Sequence, residues 1–463
     1  GAGVGQLNSV AACVKHFAAY GAGQAGRDYN TVDMSDRVLR EVYLPPYKAT
    51  IDAGVATVMT SFNELDGTPA TANDYLFNEV LRKEWGFKGM VVTDYTSIME
   101  MLNHGNVADS SEAAAATINA GVDMDMQAGF FQYKLPALIK DKKVSEEVLN
   151  TAVRRVLRLK FELGLFDDPY RYSNEQRQNE TIMKPEFLEA SRDIARKSIV
   201  LLKNNGVLPL AKSTKTIAII GPLGKSKIDM IGAWSAAGKA DSAVSIFDGI
   251  RAKVPGARLL YAKGCNVNDD STKYFAEAIN IARQADIVVM SVGEAAWMSG
   301  EASSRGIIDL PGAQQKLVEE IHKVGKPVVV LLSNGRPLTI PWIDKNIPAV
   351  VETWYLGTQA GNAIADVLFG DYNPSGKLPM TFPYAMGQVP IFYSAKNTGR
   401  PRDPNNKYSS KYLDIPNDPL YPFGYGLSYT TFDYGDISIG NGTFTIRVTN
   451  SGKASGKETV QLY

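Results

Sequence analysis

The amino-acid sequence predicts an α/β protein whose two main regions are each built on a parallel sheet. In the first region, short apolar runs end abruptly in polar residues, and helix-length patterns separate them. A second series of the same kind follows in the middle of the chain, and the last residues alternate in the way of sandwich strands. Because repeated strand–helix units form parallel sheets covered by helices, we expect two α/β domains and then the start of a β-sandwich.

The composition is that of a folded globular protein without net charge. The chain has 463 residues, a length of about three domains, and it is 44% apolar and 21% charged. Its 49 basic residues balance its 49 acidic residues, so there is no basic field to hold nucleic acid phosphates or anionic lipid. No apolar run reaches the roughly 18 residues of a membrane helix. We therefore expect neither nucleic acid nor membrane as a partner.

Residue types that build metal sites and disulfides are scarce. Cys13 and Cys265 are too few for a disulfide framework or a zinc site, and the apolar run around Cys13 predicts a buried thiol. The three histidines lack metal-binding spacing; we place His322 on a helix surface and His104 in a Gly/Asn-rich loop. A phosphate loop and a G-x-S-x-G elbow are absent. We expect no metal and no cofactor, so carboxylates remain as candidates for chemistry.

The first region has too few strands for a closed barrel. We predict strands at 10–17, 55–62, 88–94 and 120–126, and helices at about 35–53, 72–85, 110–119 and 145–163. Ser111 is the predicted cap of the third helix, and Ser and acidic residues begin the fourth. Since a (β/α)8 barrel needs eight strands, this region is either an open sheet or a barrel whose first half is missing.

The rest of the chain predicts a linker, a second α/β domain and an incomplete sandwich. A polar linker at 167–184 precedes a helix at about 185–204. The second series has strands at 216–221, 258–262, 286–292, 327–332 and 349–353, and helices at about 272–285, 311–324 and 360–369. Residues 370–434 form an ordered, extended segment, and 443–450 and 457–463 alternate like strands. About 30 residues cannot complete a sandwich of about 100, so we expect the chain to stop inside a third domain.

Asp94 is the first candidate for catalysis because it ends a strongly apolar strand. Barrel enzymes keep their catalytic residues at this edge of the sheet, although an aspartate there can instead cap the next helix. Lys15 and His16 end another predicted strand, so their side chains could converge with Asp94. Such a pair suits the hydroxyl groups of a neutral sugar, and the alternative is a lysine salt bridge beside a packed histidine.

Glu301 is the second candidate and lies in the loop after the strand at 286–292. Glu294, Trp297 and Arg305 share this loop. A tryptophan beside an acid can form a surface on which a sugar ring stacks. The alternative is a solvated charged loop, since most charged loop residues have no specific role.

Several stretches together resemble glycoside hydrolase family 3, the β-glucosidase-type enzymes. These stretches are VKHFAAYG (14–21), LREVYLPPYKATIDAGVATVMTSFNELDGTP (39–69), LRKEWGFKGMVVTDY (81–95), AGVDMDM (120–126), LLKNNGVLPL (201–210), SGEASSR (299–305), DVLFGDYNPSGKLPMTFP (366–383), YPFGYGLSY (421–429) and VTNSGKASGKETVQLY (448–463). They follow the order of the family over nearly the whole chain. The bacterial periplasmic β-glucosidase type is the most similar subgroup.

The resemblance implies a specific domain organisation. Residues 1–166 correspond to the second half of a (β/α)8 barrel, 167–204 to a linker and helix, and 205–383 to an α/β sandwich domain. An extended segment follows at 384–434, and 435–463 begin a fibronectin type III-like domain. The family's sugar-binding Asp and Arg from the first half-barrel would lie before this chain. We therefore expect the chain to be incomplete at both ends.

The resemblance also implies residue roles. Asp94 matches the nucleophile, although Thr93 and Tyr95 depart from the family's Ser-Asp-Trp-like pattern, and Glu301 matches the acid/base of this subgroup. Lys15 and His16 match the sugar-binding pair. The residues that would line the same subsite are Arg27, Met59, Phe62 and Tyr95, and Trp297 is the stacking candidate.

The implied function is retaining, exo-acting hydrolysis of terminal non-reducing β-linked glucose from cello-oligosaccharides or β-glucosides. A β-xylosidase or a broad exo-β-glucanase of the family, and a catalytically incomplete sugar-binding fragment, remain alternatives. A nucleotide-binding α/β protein would need the phosphate loop that is absent. The N-acetylglucosaminidase branch is disfavoured because KHFAAYG replaces its KHFPGHG-like strand end.

The resemblance further implies a periplasmic or secreted protein, allows a homodimer, and makes the absent half-barrel necessary for a complete site.

Overall fold

The computed structural model describes residues 3–463, which form two compact units. The first unit ends at Ile182 and the second begins at Met183. Both are α/β units with parallel sheets, as the repeated strand–helix pattern predicts. Among the described residues, no helix is both long and apolar enough to cross a membrane.

The first unit is built on a three-stranded parallel sheet. The strands of the first unit are β1 Cys13–Phe17, β2 Thr57–Thr60, β3 Glu64–Leu65, β4 Thr68–Pro69 and β5 Met90–Val92. The sheet order is β1-β2-β5, and β3 pairs with β4 in a small antiparallel hairpin. Parallel order places the carboxyl ends of β1, β2 and β5 at one edge of the sheet.

The fourth predicted strand, at 120–126, is only a single bridge between Met124 and Val92. The backbone amides of Asp123 and Met124 both donate to the Val91 carbonyl, which interrupts a regular ladder. The buried Asp123 carboxylate also pairs with Arg82 and Arg155, each at 2.8 Å. The prediction of a full strand is wrong because this buried ion pair, rather than strand pairing, fixes the segment.

Helices surround this sheet, with two π-helical segments among them. The helices are α1 Asp36–Val38, α2 Leu44–Asp52, α3 Ser97–His104, α4 Ser110–Asn119, α5 Phe130–Lys140, α6 Glu146–Glu162 and α7 Glu175–Thr181. The π-helical segments are Leu39–Tyr43 and Tyr75–Glu84, and the 3₁₀ turns are Tyr20–Ala22, Gln24–Gly26 and Ala70–Ala72. Thus α7 interrupts the predicted linker, and α3 and α5 were not predicted.

Three predictions of local detail in this unit are wrong. Asp109 rather than Ser111 caps α4, because its Oδ1 accepts from the amides of Ser111 and Glu112 at 2.7 and 3.0 Å. His104 ends α3 instead of lying in a loop. Cys13 is exposed rather than buried, since β1 lies at the edge of the described sheet and its residues alternate in burial.

The second unit contains a six-stranded sheet. Its strands are β6 Val200–Asn204, β7 Thr216–Ile220, β8 Arg258–Ala262, β9 Ile287–Gly293, β10 Val328–Ser333 and β11 Ala349–Glu352. The order is β6-β11-β10-β9-β7-β8, and only β6 runs antiparallel to its neighbour. All five strands predicted for this domain are confirmed within a residue or two at each end. The sequence pattern places the residues of β6 in the preceding helix, and this part of the prediction is wrong.

Helices cover both faces of this sheet. They are α8 Pro185–Ser198, α9 Ile228–Ile231, α10 Ile246–Lys253, α11 Phe275–Arg283, α12 Gln314–His322, α13 Pro341–Asn346 and α14 Ala360–Leu368. The 3₁₀ turns are Ala240–Ser242, Ala296–Met298 and Met386–Gln388. The helix predicted to reach 204 ends at Ser198, because Val200–Leu202 are buried in the sheet as part of β6.

Alternate residues of the central strands enter two separate cores. Ile217 and Ile219 pack into one hydrophobic cluster, whereas Ala218 and Ile220 pack into the other. Burial on both faces is typical of a parallel sheet. On one face, α10 and α14 approach so closely that a Cβ atom at Gly249 would lie 2.0 Å from the Gly361 carbonyl oxygen.

The end of the chain forms two small antiparallel pairs. The strands are β12 Phe432–Tyr434, β13 Ser438–Gly440, β14 Thr443–Thr445 and β15 Val448–Asn450, paired β12–β15 and β13–β14. The strand predicted at 457–463 does not form. Side chains hold this segment instead of a ladder: Gln461 Nε2 donates to the Gly424 carbonyl at 2.9 Å.

Candidate active site

Lys15 and His16 lie at an irregularity in β1. Val14 pairs with Val58, and the next pair is Phe17 with Thr60. Between these two pairs, β1 has one residue more than β2. Such a bulge redirects side chains. Lys15 is exposed and His16 is half-buried. The peptide bond between them is cis, as is the bond after Phe17.

The structure joins His16 and Asp94, as their strand-end positions predict. The His16 Nε2 atom lies 3.3 Å from Asp94 Oδ2. Asp94 follows β5 and is 7% exposed. Its Oδ1 accepts from the Tyr95 amide at 2.7 Å. Asp94 does not cap α3, whose cap position is Thr96, so the alternative interpretation as a helix cap is wrong.

Three buried hydroxyl groups support the backbone of Asp94. The Asp94 amide donates to Thr60 Oγ1 at 3.2 Å. Thr60 Oγ1 lies 3.2 Å from Thr71 Oγ1, which donates to Ser97 Oγ at 2.9 Å. The sequence pattern does not predict this network. The only available signal was that polar residues follow the apolar part of β2.

Aromatic rings form a wall beside His16. The His16 ring meets Tyr20 edge-on, with centroids 5.1 Å apart. Phe62 contacts Tyr20 and Tyr29, with ring centroids 5.9 and 5.3 Å apart. The predicted residue Phe62 therefore belongs to this group, which also contains two tyrosines that we did not predict. Edge-to-face rings of this kind give a rigid apolar surface next to a polar pair.

The other predicted residues of the first unit differ in exposure. Met59 is half-buried on β2. Tyr95 adjoins Asp94 in sequence and is 57% exposed, and Arg27 is exposed after a 3₁₀ turn. Among residues 3–463, no group of three His, Cys, Asp or Glu side chains could hold a metal ion.

In the second unit, the loop after β9 carries two glutamates in opposite environments. Glu294 is fully buried, and its Oε1 lies 2.6 Å from Arg305 Nη1 and 3.1 Å from Arg336 Nε. Glu301 is exposed, and Trp297 is 66% exposed. Glu294 is thus an internal anchor of the loop, whereas Glu301 is accessible to a ligand.

Glu352 is a buried carboxyl group at the end of β11. Burial raises its pKa to about 8, although the Trp354 amide and the Asn334 side chain donate to it at 2.8 and 3.0 Å. Asn334 Nδ2 also donates to the Arg336 carbonyl at 2.8 Å. Glu352, Asn334 and Arg336 are not among the residues predicted as candidates, although all three lie at or just after the end of an apolar strand, which was the available signal.

Both units match domains of one enzyme family. Residues 3–159 match the Glycosyl hydrolase family 3 N terminal domain, and residues 199–429 match the Glycosyl hydrolase family 3 C-terminal domain. The chain therefore belongs to glycosyl hydrolase family 3, and the resemblance seen in the sequence is confirmed.

Individual relatives agree with this assignment. The chain is 46% identical to the periplasmic beta-glucosidase of Salmonella typhimurium, over 98% of this chain and 64% of that protein. It is 40% identical to a beta-xylosidase of Formosa agariphila, over 98% of this chain and 65% of that protein. The chain thus spans less than two thirds of the length of each.

Solved structures show the same fold. The beta-glucosidase from Listeria innocua in complex with isofagomine superposes with a TM-score of 0.90 and 42% identity, covering 94% of this chain and 62% of that one. The same enzyme has also been solved in complex with glucose, with a TM-score of 0.89.

Proposed function

We propose that the protein containing this chain is a retaining, exo-acting β-glucosidase. It removes terminal non-reducing β-linked glucose from cello-oligosaccharides or other β-glucosides. The observation that carries this proposal is the 3.3 Å contact between His16 and the nearly buried Asp94, beside Lys15, at the carboxyl edge of a parallel sheet. A charge-assisted donor pair next to a carboxylate suits a sugar ring positioned for attack.

Asp94 acts as the nucleophile and Glu301 as the acid/base. Asp94 attacks the anomeric carbon while Glu301 protonates the departing glycosidic oxygen, which gives a covalent glycosyl-enzyme. Glu301 then removes a proton from water, which attacks the same carbon and releases glucose with its configuration retained. Retaining enzymes hold their two carboxyl groups about 5–5.5 Å apart, and a sugar-bound structure with a much larger separation would contradict the assignment. The proposed steps require no cofactor.

The remaining predicted residues contribute to sugar binding. Lys15 and His16 donate hydrogen bonds to sugar hydroxyl groups. The side chains proposed to line the same subsite are Arg27, Met59, Phe62 and Tyr95. The wall of Phe62, Tyr20 and Tyr29 supports this proposal, because ring edges and faces pack against the C–H bonds of a sugar. Trp297 offers a stacking surface beside Glu301.

We also propose the domain organisation implied by the family. In this proposal, residues 1–166 are the second half of a (β/α)8 barrel, joined by the segment 167–204 to the α/β sandwich domain at 205–383. After the extended segment at 384–434, residues 435–463 begin a fibronectin type III-like domain. The first half-barrel would complete the sugar site, and the protein would be periplasmic or secreted. The greater length of the relatives and the name of the Salmonella protein support these proposals.

A β-xylosidase is the second candidate, and the Formosa agariphila relative favours it. The two sugars differ at C5, where glucose carries a hydroxymethyl group and xylose does not. A pocket with hydrogen bonds to that hydroxymethyl group would favour glucose, because its donors and acceptors would be left unpaired by xylose. A broad exo-β-glucanase and a sugar-binding fragment without turnover are further outcomes to be distinguished.

The test is release of nitrophenol from aryl β-glucosides and β-xylosides, with cellobiose binding measured in parallel. We expect turnover of the glucoside, retained configuration in the first product, and loss of turnover in Asp94→Asn. Faster turnover of the xyloside would make the protein a β-xylosidase. Binding of cellobiose by the folded full-length protein without any turnover would reduce it to a sugar-binding protein.

A further inference from the structure

One guanidinium group bridges the two ends of the short segment that carries Glu301. Nη2 of Arg336 donates to the Met298 carbonyl and, at 2.9 Å, to the Ser303 carbonyl. These two carbonyls flank residues 299–302. This nitrogen atom therefore contacts both ends of the short segment that contains Glu301. The Ser303 hydroxyl makes further contacts across it, donating to the Trp297 and Glu301 carbonyls at 3.1 and 3.2 Å.

Arg336 is itself fixed to the sheet. Its Nε lies 3.1 Å from Oε1 of the fully buried Glu294, which directly follows β9. Arg336 follows β10, the parallel neighbour of β9, and its carbonyl accepts from Asn334 Nδ2 at 2.8 Å. The guanidinium group is thus anchored at the ends of two adjacent strands, and its hydrogen bonds connect the segment 299–302 to them.

We propose that Arg336 is a positioning residue that holds Glu301 in the orientation required for proton transfer. This inference rests on the proposed function, in which Glu301 is the acid/base. A general acid must lie within hydrogen-bond reach of the departing oxygen, and small displacements of a reacting group are costly. Gly300, with φ +96°, gives the segment a left-handed turn beside Glu301, and the Arg336 contacts keep the two ends of that turn together.

Arg305 offers a matched control. Its Nη1 binds the same Glu294 carboxylate at 2.6 Å, but its Nη2 binds the Asp309 carbonyl at 2.9 Å, outside the segment 299–302. Arg305→Lys and Arg336→Lys therefore each replace one guanidinium group on the same buried carboxylate. Only Arg336→Lys removes the nitrogen that joins the Met298 and Ser303 carbonyls.

The experiment compares both variants in the full-length protein on phenyl and 2,4-dinitrophenyl β-glucosides. Dinitrophenolate leaves without protonation, so a misplaced acid slows formation of the glycosyl-enzyme only from the phenyl substrate. We compare kcat/KM, which reports this first step, because kcat also contains the second step, in which Glu301 acts as the base. For Arg336→Lys we expect kcat/KM to fall at least about tenfold on the phenyl glucoside and less than about threefold on the dinitrophenyl glucoside. For Arg305→Lys we expect equal factors on both substrates. Equal factors in Arg336→Lys, or a leaving-group dependence in Arg305→Lys, would overturn the inference.

Amide hydrogen exchange of residues 299–303 gives a second readout that does not depend on turnover. We expect faster exchange in Arg336→Lys than in Arg305→Lys, and equal exchange would overturn the inference. Failure of Arg336→Lys to fold, with Arg305→Lys folded, would make Arg336 a structural residue and would also overturn it. Absence of hydrolysis by the unmodified protein is a separate result, which overturns the proposed function.

Discussion

Asp94 and Glu301 are held in place by different means in their two units. Asp94 is supported by neighbouring strand ends, through His16 on β1 and Thr60 on β2. Glu301 lies on a loop in which Arg336, a residue that follows β10, donates to the Met298 and Ser303 carbonyls. The comparison shows that neighbouring strands of a sheet bring supporting side chains to a strand-end carboxylate, whereas the contacts of a loop come from a side chain outside that loop.

The largest effect is expected at the strand-end carboxylate. Asp94→Asn removes the charge of the proposed nucleophile, and kcat should fall by about 10⁴-fold or more on every aryl glucoside. Initial rates of the variant would check the expected loss. Trapping of the covalent intermediate in the unmodified protein with a slow fluorinated substrate would check the role of Asp94. A loss confined to poor leaving groups would show that Asp94 is not the nucleophile.

The loop carboxylate should show a smaller loss that depends on the leaving group. Glu301→Ala should lower kcat by about 10²- to 10⁴-fold on a phenyl glucoside, and azide should restore turnover of the dinitrophenyl glucoside with glucosyl azide as product. Azide attacks the glycosyl-enzyme without needing a base. Glu186→Ala, at an exposed glutamate in the same unit, is the matched control and should behave like the unmodified protein. Without glucosyl azide, another residue must be the acid/base.

The hydroxyl network should have a moderate effect on the strand-end site. Thr60→Val removes the acceptor for the Asp94 amide, and we expect kcat to fall about tenfold with little change in KM. Thr117→Val is the matched control, since its buried hydroxyl contacts Met101 Sδ at 3.4 Å instead. Equal kinetics in the two variants would show that the sheet holds Asp94 without the network.

The smallest effect is expected on stability rather than on activity, and it concerns the buried carboxyl group of Glu352. The pKa of Glu352 is raised to about 8 from an ordinary value near 4.5, so the folded state binds its proton more tightly than the unfolded state. The free energy of unfolding should therefore fall as pH rises from about 4.5 to about 8. Urea unfolding between pH 5 and pH 9 would measure the slope. Glu352→Gln should flatten it, and an unchanged slope would contradict the shift.

The strand-end residues could be predicted from the sequence because parallel strands bring their carboxyl ends to one edge. Lys15, His16 and Asp94 needed only the positions where apolar runs stop. Arg336 and Glu352 also lie at or just after strand ends, but the strand-end pattern does not show which partners their side chains reach, so it did not single them out. Strand 120–126 was overestimated for a similar reason, because its conformation depends on ion pairs of Asp123 with Arg82 and Arg155.

The close approach of α10 and α14 restricts which sequences this fold can accept. A Cβ atom at Gly249 would lie 2.0 Å from the Gly361 carbonyl oxygen, and one at Gly361 would lie 2.0 Å from the Ser245 carbonyl oxygen. In a library of random variants, both positions should reject even alanine, although neither belongs to the proposed chemistry. A variant that lacks the proposed hydrolysis should still require both glycines, so their presence in a related sequence would indicate the fold and not the activity.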